Sequence, residues 1–128
     1  MADVSWGPQL DLGAAITESQ RLMDHGDPAR ARELLEAESS LAPPEELELW
    51  QGLWQLADGL DRALRGEPVA AARSLRRGRD LVGSYEDRPP HALDVAGLLA
   101  WSTHLIDELA VTTRDPDWVP PVPRLRMP

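Results

Sequence analysis

Arg32 and Glu36 lie four residues apart, so on a helix they share a face. Glu33 stands beside them. Further on, Gln51, Gln55, Asp58 and Arg62 recur at spacings of four, three and four. That polar row borders an apolar stripe rather than opposing it. If the two helices meet along these rows, they form a half-buried polar network. Arginine forks pair well with carboxylates, and the two amides can complete the bonding. Two readings stand. The set is either the floor of a pocket for a small anionic ligand, or an ion-pair network that fixes helix register. An enzymatic version of the first would use Glu36 as acid or base, with Arg32 and Arg62 orienting an anionic substrate.

Other constellations are less complete. Arg73, Arg76 and Arg77 share a helical face and form, with Arg79, a local basic patch that could hold an anion or simply face water. His104 stands three residues before Asp107 and four before Glu108, which supplies two metal ligands where a site needs at least three. No metal site is expected. Ser102, Thr103 and His104 are adjacent, but neighbouring helical residues point in different directions, so they make no catalytic set. No catalytic residue and no cofactor are assigned. The five tryptophans contrast with a complete absence of phenylalanine. Trp50 and Trp54 share one face. They either fill the core or, with Trp118, form a surface for a protein partner.

Composition removes whole classes of chemistry. The absence of cysteine excludes disulfides, thiolate metal sites and a cysteine nucleophile. All 13 basic residues are arginine, so Schiff-base and P-loop lysine chemistry are excluded as well. A net charge of -9 argues against binding nucleic acid or an anionic membrane. No apolar stretch approaches the length of a membrane helix. The first six residues lack the basic and apolar regions of a signal peptide, and the chain is read as a soluble cytoplasmic protein of unknown oligomeric state.

The 128 residues suit a single domain. Prolines and glycines divide it into five helical segments, near 11–24, 28–41, 45–65, 68–84 and 92–111. Leu12, Ala15, Ile16, Ser19, Leu22 and Met23 mark the inner face of the first. Gly26 and Asp27-Pro28 close it and open the second. Leu49, Leu53, Leu56, Leu60 and Leu64 stripe the third. Within it, Gly52 and Gly59 each cost up to ~1 kcal/mol relative to alanine, which predicts close approach of another helix. Val69, Ala72, Leu75, Gly78 and Val82 line the fourth, and Val95, Leu98, Leu99, Leu105, Ile106 and Leu109 the fifth. No stretch alternates long enough for a strand. The fold class is therefore all-α, a compact array of about five helices, with residues 112–128 an extended proline-rich tail anchored by Trp118.

Four stretches carry a family resemblance: Ala31-Arg32-Glu33-Leu34-Leu35-Glu36, Leu49 to Ala57 (LWQGLWQLA), Arg65 to Ala72 (RGEPVAAA) and Leu75 to Leu81 (LRRGRDL). In order and spacing the chain resembles the domain-of-unknown-function 309 family of small helical proteins, over roughly Arg21 to Leu109. The resemblance implies a compact array of about five helices and supplies no settled activity. The family pattern has a His-Glu-x-x-Glu motif on the second helix, followed by a tryptophan, and a histidine late in the third. Here Arg32 stands at the first histidine position, Ser39 near the tryptophan and Arg62 at the later histidine, while Glu33 and Glu36 are kept. Any metal binding or proton transfer by those histidines is not expected of this chain. The function read from the sequence is a non-enzymatic binding or scaffold module. The alternative is a small or degenerate enzyme using the polar pocket between the second and third helices. A partner subunit using the Trp50/Trp54 face or the tail is a third possibility.

Overall fold

The fold is given by a computed structural model, which describes residues 11–111 and 115–127. Five helices follow one another: α1 Leu12–Asp24, α2 Pro28–Ser39, α3 Leu47–Leu64, α4 Pro68–Gly83 and α5 Val95–Leu109. Each packs on the next, and the result is an all-α array. No strand occurs among the described residues; the one β-type pairing is a single antiparallel bridge between Leu93 and Arg126. The described start of the tail is residue 115, so its expected first part, 112–114, and its last residue lie outside the described residues.

Local chemistry starts the helices where the sequence places them. The Asp11 carboxylate accepts from the Ala14 amide at 2.7 Å, Asp27 from Arg30 at 3.3 Å and Asp94 from Gly97 at 3.0 Å. Each satisfies an amide that has no partner within its own helix. Pro28 and Pro68 take first-turn positions, where their missing N–H is not needed. Three boundaries differ from expectation. Helix α2 stops at Ser39, where the Ser39 and Ser40 hydroxyls bond back to the Glu36 and Ala37 carbonyls. Pro44–Glu46 and Pro90–Ala92 are separate 3₁₀ turns, so α3 begins at Leu47 and α5 at Val95. In the second case the break is real: His91 and Ala92 have φ of 59° and 58°, outside the right-handed helical region.

One feature organises the array. The turn Gly26-Asp27-Pro28 between α1 and α2 recurs, 40 residues on, as Gly66-Glu67-Pro68 between α3 and α4. Gly26 has φ of 79° and Gly66 of 76°, a left-handed conformation that favours glycine. The next amides, of Asp27 and Glu67, both reach back to the carbonyls of Leu22 and Arg62 at 2.9 Å. Ala31 and Ala71, four residues beyond each acid, are both fully buried. The described residues thus form two helical hairpins closed by the same turn and followed by a fifth helix, each packed on its neighbour.

Helix α3 sits centrally and buries Leu49, Trp50, Leu53, Leu56, Ala57 and Leu60. Its glycines meet α4 as their cost implies. A Cβ on Gly52 would stand 2.6 Å from Val82 Cγ1, and one on Gly59 2.6 Å from Leu75 Cγ. Gly78 on α4 answers them: its Cβ would stand 2.8 Å from the Gly52 carbonyl oxygen. The α3–α4 seam is thus a contact of backbone on side chain that any larger residue would part.

The described tail, 115–127, runs between α1 and α5. Trp101 Nε1 donates to the Pro121 carbonyl at 2.8 Å. Gln20 on α1 brackets the next stretch: its Nε2 donates to the Pro123 carbonyl at 2.9 Å and its Oε1 accepts the Leu125 amide at 2.8 Å. The Leu125 carbonyl accepts from the Asp94 amide at 2.7 Å, and the Met127 amide donates to the Ala92 carbonyl at 3.1 Å. Pro120, Pro123 and Leu125 are buried, and Trp118 is half-buried against the core.

Candidate functional site: a polar bridge between the hairpins

The turn repeat brings α2, the end of the first hairpin, against α3, the start of the second. At this junction stands Asp58, with a side chain 14% exposed. One carboxylate oxygen accepts from Arg62 Nε at 2.8 Å and from the Ser74 hydroxyl of α4 at 2.7 Å. The other lies 3.5 Å from Arg32 Nε of α2. Arg32 also pairs with Glu36 at 3.3 Å, and Arg62 with Glu67 at 3.3 Å. The Arg32 guanidinium lies over the indole of Trp54, 5.3 Å from the ring centroid. Three helices are joined through one carboxylate.

Over this bridge is a cavity of about 340 Å³, lined by Arg32, Glu33, Asp58, Asp61, Arg62 and Arg65 among others. Its cations are opposed by anions: Arg65 holds Asp61 at 3.1 Å, and Arg62 spans Asp58 and Glu67. The hydrogen bond it donates to Asp58, and then the charge of that carboxylate, push the Arg62 guanidinium further up from its already high value. The Nε of Arg32 is buried and makes no hydrogen bond among the described residues.

Of the residues expected in this site, Arg32, Glu33, Asp58 and Arg62 gather around the cavity. Glu36 pairs with Arg32 but its side chain is 48% exposed, outside the cavity wall. Gln51 and Gln55 take no part in the Asp58 bridge. Ser74, Asp61, Arg65 and Glu67 join the site without having been anticipated. Ser74 could have been found as the polar residue set between the buried Ala71 and Leu75 of α4.

The remaining candidates are dispersed. Trp50 is fully buried, with its Nε1 on Glu46 Oε1 at 3.2 Å and its ring edge-on to His91, so it offers no surface to a partner. The reason is its place one turn beyond Glu46, which supplies the acceptor a buried indole requires. Trp54 is half-buried beneath Arg32, and Trp118 lies on the far side of α3's end beside Val119 and Leu64. Arg73, Arg76 and Arg77 are exposed and make no ion pair among the described residues. Among the described residues His104 pairs with Glu108, at 3.5 Å, with its own side chain 68% exposed. Among the described residues no group of three or more potential ligands is arranged to hold a metal.

A second polar cluster was not anticipated. Glu46 Oε1 accepts from Trp50 and lies 2.8 Å from His91 Nε2. Burial pushes the Glu46 carboxyl up, but the bonds from His91 and Trp50 outweigh it and hold the group below its usual range. The His91 carbonyl in turn accepts from Arg126 Nε at 3.3 Å.

Neither a protein-family model, nor a curated protein, nor a solved structure matches this chain. Among the described residues no helix is long and apolar enough to cross a membrane.

Proposed function

We propose that the protein is a non-enzymatic binding module, a diverged relative of the domain-of-unknown-function 309 family, which takes a small polar ligand bearing an anionic group in the cavity over Asp58. The observation that carries this reading is the convergence of Arg32 and Arg62 on the two oxygens of Asp58, at 3.5 and 2.8 Å, in the wall of a cavity of about 340 Å³. These are the two positions at which the resemblance expects histidine. Arginine at both replaces groups that exchange protons near neutral pH by groups that stay charged, which suits holding an anion better than proton transfer. The other N–H groups of Arg32 and Arg62 can donate to the ligand, and Glu33 and Asp61 can accept from the ligand's own donors.

Exposure of Glu36 outside the cavity disfavours the enzymatic alternative, since an acid or base must reach the atom it serves. Native mass spectrometry of the untagged protein, purified gently from its host, followed by calorimetry with small carboxylates and phosphates, tests the proposal. A stoichiometric small-molecule mass, lost in Arg62→Met while the fold persists, is the expected result. Loss of stability in Arg62→Met with no ligand bound by either form would leave the cluster a structural bridge alone.

A further inference from the structure

The way α1 and α5 hold the tail goes beyond that reading and shares no residue with the cavity over Asp58. The tail's main chain is bonded at Pro121, Pro123, Leu125 and Met127, and its side chains at Arg124, which pairs with Asp24 at 3.4 Å, and Arg126. Prolines carry no N–H, so an extended proline-rich segment offers carbonyls and few donors. The seam supplies the matching groups: Trp101 Nε1 to the carbonyl of Pro121, and Gln20 Nε2 to that of Pro123. At Leu125, the second residue after that proline, the chain has both groups again. There Gln20 Oε1 accepts its amide, and the Asp94 amide donates to its carbonyl. Gln20 therefore reads residues two apart, the repeat of an extended chain, as an added strand would. Specificity comes from the buried side chains of Pro120, Pro123 and Leu125, and from Arg126, which donates to the Thr17 hydroxyl at 2.6 Å and the Gly13 carbonyl at 2.7 Å.

Two further observations set this seam apart from ordinary packing. The tail leaves space beside it: a cavity of about 330 Å³ runs along Ile16, Thr17, Gln20 and Asp24 against residues 124–126. The loop that clasps the tail's end is strained, with His91 and Ala92 both left-handed, and such strain gathers at ligand clamps.

We infer that the α1–α5 seam is a binding site for an extended proline-bearing peptide with the chemistry of residues 120–127, Pro-Pro-Val-Pro-Arg-Leu-Arg-Met, and that the chain's own tail occupies it in cis. A tethered ligand acts at an effective concentration near the millimolar range, so the intact protein excludes a free peptide of the same sequence. Weakening the tail opens the site.

The test uses the full chain and a fluorescent synthetic peptide of residues 119–128, read by anisotropy. Leu125→Asp in the protein removes a buried anchor of the strap. Arg126→Ala, which removes three hydrogen bonds and leaves the core intact, serves if the first fails to hold its helical circular dichroism. The opened variant is expected to take up the peptide about tenfold or more tighter than the wild type. Adding Gln20→Ala to it should lower that affinity about tenfold, the two bonds it makes being lost together. A folded, opened variant that takes up no peptide overturns the proposal and leaves the tail a fixed strap. Peptide binding that ignores Gln20→Ala overturns the assigned site. A dimer of the opened variant in sedimentation that ignores added peptide would assign the seam to a second copy instead.

Discussion

The two hairpins share a turn down to its hydrogen-bond lengths and differ along the seam that follows it. In the second hairpin the contact positions are Gly52, Gly59 and Gly78, and the helices meet at backbone distance. Forty residues earlier the equivalent positions hold Leu12, Ser19 and Glu38. Ser19 and Glu38 are buried all the same, at 0% and 2% exposure. The Ser19 hydroxyl has no hydrogen-bond partner among the described residues, and burial, with a smaller push from Asp11, raises the Glu38 carboxyl above its usual range. The same turn can thus launch a close-packed seam or a looser one with polar groups inside it. The turn sets the direction of the second helix, and the residues about two to four turns away set its distance.

The closely packed second hairpin has the most to lose from substitution. Gly78→Val places side chain where the Gly52 carbonyl oxygen now stands, and is expected to lower stability by about 2–3 kcal/mol despite better helix propensity, read as a fall in the urea midpoint. Asp58→Asn removes the centre of the bridge and leaves Arg32 and Arg62 facing each other. With both arginines partly exposed, the expected loss is about 1–2 kcal/mol, between that of a surface pair and a buried one, and it should shrink in high salt.

Two glutamates respond to pH in opposite senses. Glu38 has its folded pKa raised, so its contribution is fully present below the ordinary carboxylate pKa and is lost as pH rises through the folded value. Glu38→Gln should therefore gain on the wild type as pH is raised from about 4 to 7. Glu46 has its folded pKa lowered, so its contribution is present above the ordinary value and is lost as pH falls through the folded one. Glu46→Gln should lose most against the wild type at neutral pH and least in acid. Parallel pH series of chemical denaturation, giving crossing trends for the two variants, would check both. The smallest effect is expected at Ser19→Ala, a gain of about 0.5–1 kcal/mol in thermal unfolding from removing an unpaired hydroxyl and improving helix propensity. A loss there would mean that the hydroxyl is bonded after all and the first seam is as well matched as the second.

Much of the helical array was legible because its punctuation is local. Asp27-Pro28 and Glu67-Pro68 start helices by chemistry that needs no tertiary partner, and Gly52 and Gly59 announced a neighbour by their cost inside an apolar stripe. The 3₁₀ turns at Pro44–Glu46 and Pro90–Ala92 were not legible, because the left-handed pair His91 and Ala92 depends on partners from elsewhere, Glu46 and the tail. The same division runs through the candidate site. Asp58 and Arg62, on one helix, followed from spacing. Arg32 joined them because its row faces α3. Gln51 and Gln55 share the spacing but not the bridge, since periodicity gives a face and not the height at which the next helix presents its partners. Ser74 and Glu67 came from across a turn.

The strap between α1 and α5 also bears on the order in which the chain can become native. Neighbouring helices contact one another along the chain, so each hairpin can close as soon as its second helix exists. The bonds that Arg126 donates to Gly13 and Thr17 join residues more than a hundred positions apart. During synthesis, then, α1 must wait with Ile16 and Gln20 facing water until residues 123–126 have been made. The residues of the strap finish the first helix, and in the folded molecule they are the ones whose amides should exchange with solvent soonest.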